Sequence, residues 1–184
     1  TVSPEIITSL QRRIEKLETR SQNVPDPNAM NMVVFSGELD KLLAAFVIAT
    51  GAAACGTRVS MFFTFWATAA LKKAGPQAAG KTMIERMFGW MLPGGFAKRQ
   101  LSKMDMCGIG RRMMAREMSK KNVADLPALI EAAKDLEVEL NVCEMSMSLM
   151  GIRPAELIDY PGMKYCGVAR FVEQSSSSNT TLFI

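Results

Sequence analysis

Four cysteines and no histidine set the chemistry open to this 184-residue chain. Without His there is no Ser–His or Cys–His triad, no imidazole base and no His-containing metal site. Cys55, Cys107, Cys143 and Cys166 remain, together with 15 Met, so the reading is sulfur chemistry or no chemistry at all. No two cysteines form a Cys-x-x-Cys pair, which argues against a zinc ribbon or a thioredoxin motif. Four cysteines in this length are too sparse for a disulfide-stapled secreted scaffold. Charges among the first residues (Glu5, Arg12, Arg13, Glu15) break any signal-peptide pattern, so the chain reads as intracellular with reduced thiols.

Cys143 is the foremost candidate. It closes the apolar run Val138–Cys143, read as a strand, and precedes a short helix read from Ser146 to Met150. Ligands in open α/β sheets bind at that carboxyl edge, and a helix N-terminus favours thiolate. Ser146 would cap the helix. The competing reading is a small buried Cys that fills core space. Cys107 lies in Met106-Cys107-Gly108-Ile109-Gly110 before Arg111 and Arg112, where two glycines permit a tight loop and two cations raise the potential. A Gly-rich helix turn is the alternative. Cys55, at a helix end, and Cys166, beside a strand, read as packing residues. Cys166 would become a resolving partner if it lay near Cys143.

The elements that position these thiols follow from apolar patterning. Ser3-Pro4 starts a helix whose Ile7, Leu10, Ile14 and Leu17 form a stripe, followed by a Pro-containing linker over Ser21–Asn28. The stripe must pack on its own domain or on a second subunit. Residues 1–29 are thus read as a helix and linker, and residues 30–184 as the domain. Met30–Ser36 and Thr57–Thr64 read as buried strands joined by a helix over Leu39–Cys55 that ends near Gly56. A helix from Phe65 to Lys73 follows. These short joints specify a right-handed βαβ unit and a parallel sheet. Asp125–Leu136 is an amphipathic helix. Gly167–Val172 reads as a fourth strand, Ser175–Ser178 as a flexible tract and Thr181–Ile184 as an edge strand. The uncharged stretches around residues 42–71 are split by Arg58 and are too short to span a membrane.

Residues 76–122 concentrate Met, Gly and cations. Lys98–Lys121 holds eight Lys and Arg against Asp105 and Glu117, a local +6 in a chain whose net charge is +4. This segment suits an acidic partner, an anionic sulfur species, an anionic membrane surface or plain solvation. It has little of the aromatic interleaving that stacks bases, so nucleic acid is not an expected partner. Met83, Met87 and Met91 share one helical face, read as interface or core rather than a copper site. Glu38, at the first strand–helix turn, opposes phosphate binding and so argues against a nucleotide or flavin site.

Several strings then occur together: Phe35–Lys41 (FSGELDK), Met61–Trp66 (MFFTFW), Met87–Pro93 (MFGWMLP), Leu101–Gly110 (LSKMDMCGIG) and Cys143–Gly151 (CEMSMSLMG). In this order, over residues 30–184, they resemble the DsrE/DsrF-like sulfur-carrier family, in its larger Met-rich branch often labelled peroxiredoxin-like. The resemblance implies a flavodoxin-like three-layer α/β fold with a mainly parallel sheet of about five strands. It also implies a homo-oligomer that carries sulfane sulfur as a cysteine persulfide, without a bound cofactor or metal. The family's acceptor Cys maps onto Cys143, and a second loop Cys of this branch onto Cys107. TusA-like carriers and rhodaneses are the implied partners, which sets a cytoplasmic location with membrane association as an open addition. The alternative is a non-enzymatic, membrane-peripheral or protein-docking oligomer that works through its Met-rich basic region.

Overall fold

The computed structural model describes residues 4–22, 25–92, 94–95, 100–103 and 105–184. Helix α1 (Pro4–Gln22) comes first, with Ile6, Ile7, Leu10 and Ile14 all exposed, so one chain leaves this stripe uncovered. The Leu17 side chain lies outside the described residues. Strand β1 (Asp26–Val34) then begins within the stretch read as linker. Pro27 is tolerated there because β1 breaks register with its neighbour between Asp26 and Met30, where no ladder donor is needed.

The expected βαβ unit forms next. Helix α2 (Leu39–Ala54) connects β1 to β2 (Arg58–Phe63), and the two strands pair in parallel from Ala29↔Arg58 to Val34↔Phe63. Gly56 sits just past the helix end at φ +85°, a conformation that favours glycine. A short α3 (Trp66–Ala70) replaces the longer helix expected to Lys73. After it come α4 (Met83–Met91), α5 (Ile109–Lys120) and α6 (Leu126–Asp135), then β3 (Glu139–Cys143) and α7 (Glu144–Met150).

The carboxy-terminal part corrects two expectations. The fourth strand, β4, is Lys164–Cys166, and the segment read as a strand belongs to helix α8 (Val168–Ser177). Val168, Phe171 and Val172 fall at helical spacing, but their β-branched and aromatic character mimics a strand. The serine tract is ordered: Ser176 Oγ donates to the Glu173 carbonyl, and Ser177 and Ser178 hydroxyls donate to that of Gln174. Hydroxyls that bond preceding carbonyls end the helix here. Strand β5 (Ser178–Phe183) then pairs in parallel with β1 as the expected edge strand.

The sheet runs β4-β3-β2-β1-β5 with all pairings parallel, and the fold is of the three-layer α/β class expected, with its parallel sheet of five strands. One face is apolar. Met32, Val34, Met61, Phe63, Leu140 and Val142 lie fully buried beneath α2 and α6, and Phe46 of α2 stacks near Phe63 at 6.0 Å. The opposite face is largely polar under α8. Asn31 Nδ2 donates to the Phe171 carbonyl and to Ser175 Oγ, while Asn141 Nδ2 donates to Ser60 Oγ. Phe62 against Phe171, at 5.7 Å, is an apolar contact between them.

Candidate functional site

Three chain segments meet at the carboxyl edge of the central strands. The β1–α2 turn packs on the β2–α3 turn so closely that a Cβ on Gly37 would lie 2.6 Å from the Trp66 carbonyl oxygen. Phe65 takes a left-handed φ of 46°, strained for a bulky residue. It is held there by its amide, which donates to Ser146 Oγ at 2.9 Å, and by its ring, 5.2 Å from that of Phe35. Ser146 belongs to the third segment, β3–α7, and its hydroxyl also meets Thr64 Oγ1 at 3.1 Å.

Cys143 ends β3 and is itself the N-cap of α7. Ser146 therefore does not cap the helix as expected, because the helix starts two residues earlier, at Glu144. Its hydroxyl instead ties the helix to the β2 turn. Burial pushes the Cys143 thiol up, but donors to the sulfur outweigh this and hold it below the ordinary thiol value. They are the Ser146 hydroxyl, the Ser146 amide, the Thr64 hydroxyl and the Met145 amide. The residue is only 2% exposed. A nearby cavity of about 700 Å³, bordered by Ser36, Glu38, Lys41, Trp66 and Trp90, does not include Cys143 in its lining.

The remaining cysteines separate clearly. Cys55 is exposed rather than packed, which corrects that expectation: it follows the last turn of α2, where no layer covers it. Cys107 falls in a short 3-10 turn (Met106–Gly108), but its side chain lies outside the described residues. The loop before it is anchored at the same sheet edge, because the Ser102 amide and hydroxyl donate to Asp40 and the Leu39 amide to the Gln100 carbonyl. That anchor stands beyond β1, two strands from Cys143 in the sheet order.

Cys166 ends β4 in direct register with Cys143. The sequence permits this pairing only conditionally, because the apolar run that resembles the fourth strand lies a few residues beyond β4. The cationic segment is less central than its charge suggests. Arg112 and Met118 of α5 form a groove with Leu43 of α2 and Leu126 of α6, on the helical layer of the apolar face. Lys98 and Arg99 lie outside the described residues. Helix α4 begins with a reciprocal Thr82–Glu85 cap, and Met83, Met87, Trp90 and Met91 are exposed.

The burial difference sets an expected order of reaction with a thiol reagent. Peptide-resolved alkylation of the folded protein should modify Cys55 first and Cys143 about tenfold or more slowly, since access precedes thiolate character. Equal rates would show that Cys143 is open in solution.

Residues 26–183 match the model of the DsrE/DsrF/DrsH-like family. The chain belongs to that family. This DsrE-like chain is 42% identical over 153 residues to an uncharacterized protein, YrkE, of Bacillus subtilis (strain 168), covering 83% of the chain and 94% of the relative. It is 31% identical over 165 residues to the sulfur carrier protein DsrE2 of Allochromatium vinosum (strain ATCC 17899), covering 83% and 96%. Among solved structures, the crystal structure of the ychN protein from E. coli covers 85% of the DsrE-like chain and 99% of its own, with a TM-score of 0.48 at 12% identity. No helix among the described residues is long and apolar enough to cross a membrane.

Proposed function

We propose that the chain is a sulfur carrier that holds sulfane sulfur as a persulfide on Cys143. Its family and its likeness to a DsrE2 sulfur carrier support a sulfur-relay role. The observation that carries the finer reading is the position of Cys143 at the carboxyl end of β3 and the start of α7, beside the paired Thr64 and Ser146 hydroxyls, with its thiol held below the ordinary value. In the loading step the Cys143 thiolate attacks the outer sulfur of a donor persulfide. The donor S–S bond breaks, its inner sulfur leaves as thiolate, and Cys143 gains one sulfur at no net oxidation. Thr64, Ser146 and the amides stabilise the negative sulfur before attack. Burial shields the product from water and from stray thiols. It also requires that the cover over Cys143 move for the donor to reach it.

Cys107, on the loop anchored at the same edge, serves in this reading as a second thiol that takes the sulfur or as a second carrier. TusA-like carriers and rhodaneses in the cytoplasm are the proposed partners. A homo-oligomer would cover the apolar stripe of α1. The exposed Met and Trp face of α4 favours a docking role as well, and it is compatible with sulfur transfer.

Incubation with glutathione persulfide, followed by peptide mass analysis, tests the reading. The expected result is a gain of ~32 Da, one sulfur, on the tryptic peptide that contains Cys143. Loading confined to Cys55 would refute it.

A further inference from the structure

The structure assigns a role to Cys166: we propose that it takes the sulfane sulfur from Cys143 and presents it at the edge of the sheet. The inference rests on persulfide formation at Cys143 and adds the route by which a buried cargo leaves. Three observations support it. First, Cys143 and Cys166 are register partners on adjacent parallel strands, so their backbones stand about 4.8 Å apart. Second, their side chains share a face of the sheet. Cys166 Sγ reaches Asn141 Oδ1 at 3.9 Å, and Asn141 lies two residues before Cys143, on the same side of β3. Third, β4 is an outer strand of three residues, and Cys166 is half-buried where Cys143 is buried.

The environments of the two thiols set the direction. Neighbouring donors hold the Cys143 thiol below its ordinary value, and a thiol of lower pKa is the better leaving group. Burial pushes the Cys166 thiol up despite the nearby Arg170, and the Cys143 sulfur adds to the rise. A thiol of higher pKa is the stronger nucleophile once deprotonated. In the step, Cys166 sulfur attacks the outer sulfur of the Cys143 persulfide. The S–S bond at Cys143 breaks, its electron pair stays on Cys143 Sγ, and a new S–S bond forms at Cys166. The Cys166 proton passes to Cys143. One cysteine sulfur is reduced, the other is oxidised, and no outside oxidant or reductant enters.

Tryptic cleavage separates the two sites. Cys166 falls in the peptide of residues 165–170, while Cys143 falls in that of residues 135–164, because the Arg153–Pro154 bond resists trypsin. The full-length protein is loaded with glutathione persulfide without oxygen, quenched in acid over a time course, unfolded and alkylated. Sulfur should appear first on the Cys143 peptide and then on the Cys166 peptide. With Cys166→Ser and Cys166→Ala, Cys143 should load at an unchanged rate, while its discharge to dithiothreitol should slow about tenfold. With Cys143→Ser, early loading of Cys166 should be lost.

If Cys143 never loads, the persulfide reading itself fails. If Cys143 loads and discharges normally in both Cys166 variants, only the relay fails. Loss of 2 Da with release of hydrosulfide would mean that Cys166 attacks the inner sulfur to form a disulfide, which also overturns the relay. Loading of Cys166 at an undiminished rate in Cys143→Ser would overturn it too.

Discussion

Replacing Ser146 by Ala will slow sulfur loading of Cys143 at neutral pH by about tenfold or more, since a hydrogen bond to a charged group contributes about 1.5–3 kcal/mol. Ser146 supplies two of the groups that lower the Cys143 thiol, its hydroxyl and its amide, and only the hydroxyl is lost in this variant. The sign of the pH effect follows. A depressed thiol pKa keeps the reactive anion down to lower pH, so the wild-type loading rate falls off only on the acid side of the ordinary thiol value. Without the hydroxyl the fall-off moves toward alkaline pH. The full rate at high pH should survive, which distinguishes a charge effect from damage to the fold. Cys143→Ser, in contrast, should load no sulfur at that position at any pH. A Ser146→Ala profile that superimposes on wild type would remove the donor ring from the mechanism. The substitution also strips the Phe65 amide of its acceptor, so thermal stability should drop modestly in parallel.

The largest loss of stability is expected from Lys81→Met. Lys81 and Glu156 form a buried ion pair at 2.7 Å, with side chains 0% and 6% exposed. Burial pushes the Glu156 carboxyl up, but Lys81 and the amides of Arg153 and Ala78 hold it below the usual carboxylate range. The pair joins the irregular chain after α3 to the turn that follows α7, alongside the Lys73 amide bond to the Glu156 carbonyl. Removing the cation strands a buried carboxylate, at a cost of about 3–5 kcal/mol in a urea titration. The native Glu156 contributes stability at neutral pH that disappears as pH falls through its depressed pKa. In Lys81→Met the dependence reverses: the stranded carboxyl prefers its proton, so the penalty grows with rising pH. The double change Lys81→Met with Glu156→Leu should recover most of the loss. A cost below about 1 kcal/mol, the range of exposed pairs, would show that water reaches the pair.

The first half of the fold was legible because its signals are local. Apolar runs at β1, β2 and β3, with a long apolar helix between the first two, leave a parallel βαβ arrangement as the natural solution. The candidate thiol was legible for the same reason, since the end of a buried strand can be read from sequence. What surrounds it was not. Thr64 and Ser146 lie 82 residues apart, and their contact depends on β2 and β3 being neighbours. The role of Cys166 needed the position of β4. That was obscured because Val168 and Val172 point outward on α8, so the helix shows an apolar face to solvent. The runs MNMVVF and VELNVC also carry a polar signal. Asn31 and Asn141 interrupt them, and both mark the polar face of the sheet.

That two-faced sheet has a mechanical consequence. Beneath α2 and α6 the layers are joined by close-packed carbon, which separates only when the core is flooded. Beneath α8 they are joined mainly by exchangeable amide and hydroxyl bonds, which water can replace one at a time. Breathing will therefore be lopsided, with α8 peeling away while the rest stays folded. Both Cys143 and Cys166 sit on that looser side, so under the proposed carrier role the transient gap that lets solvent in would also be the door for a sulfur-bearing partner.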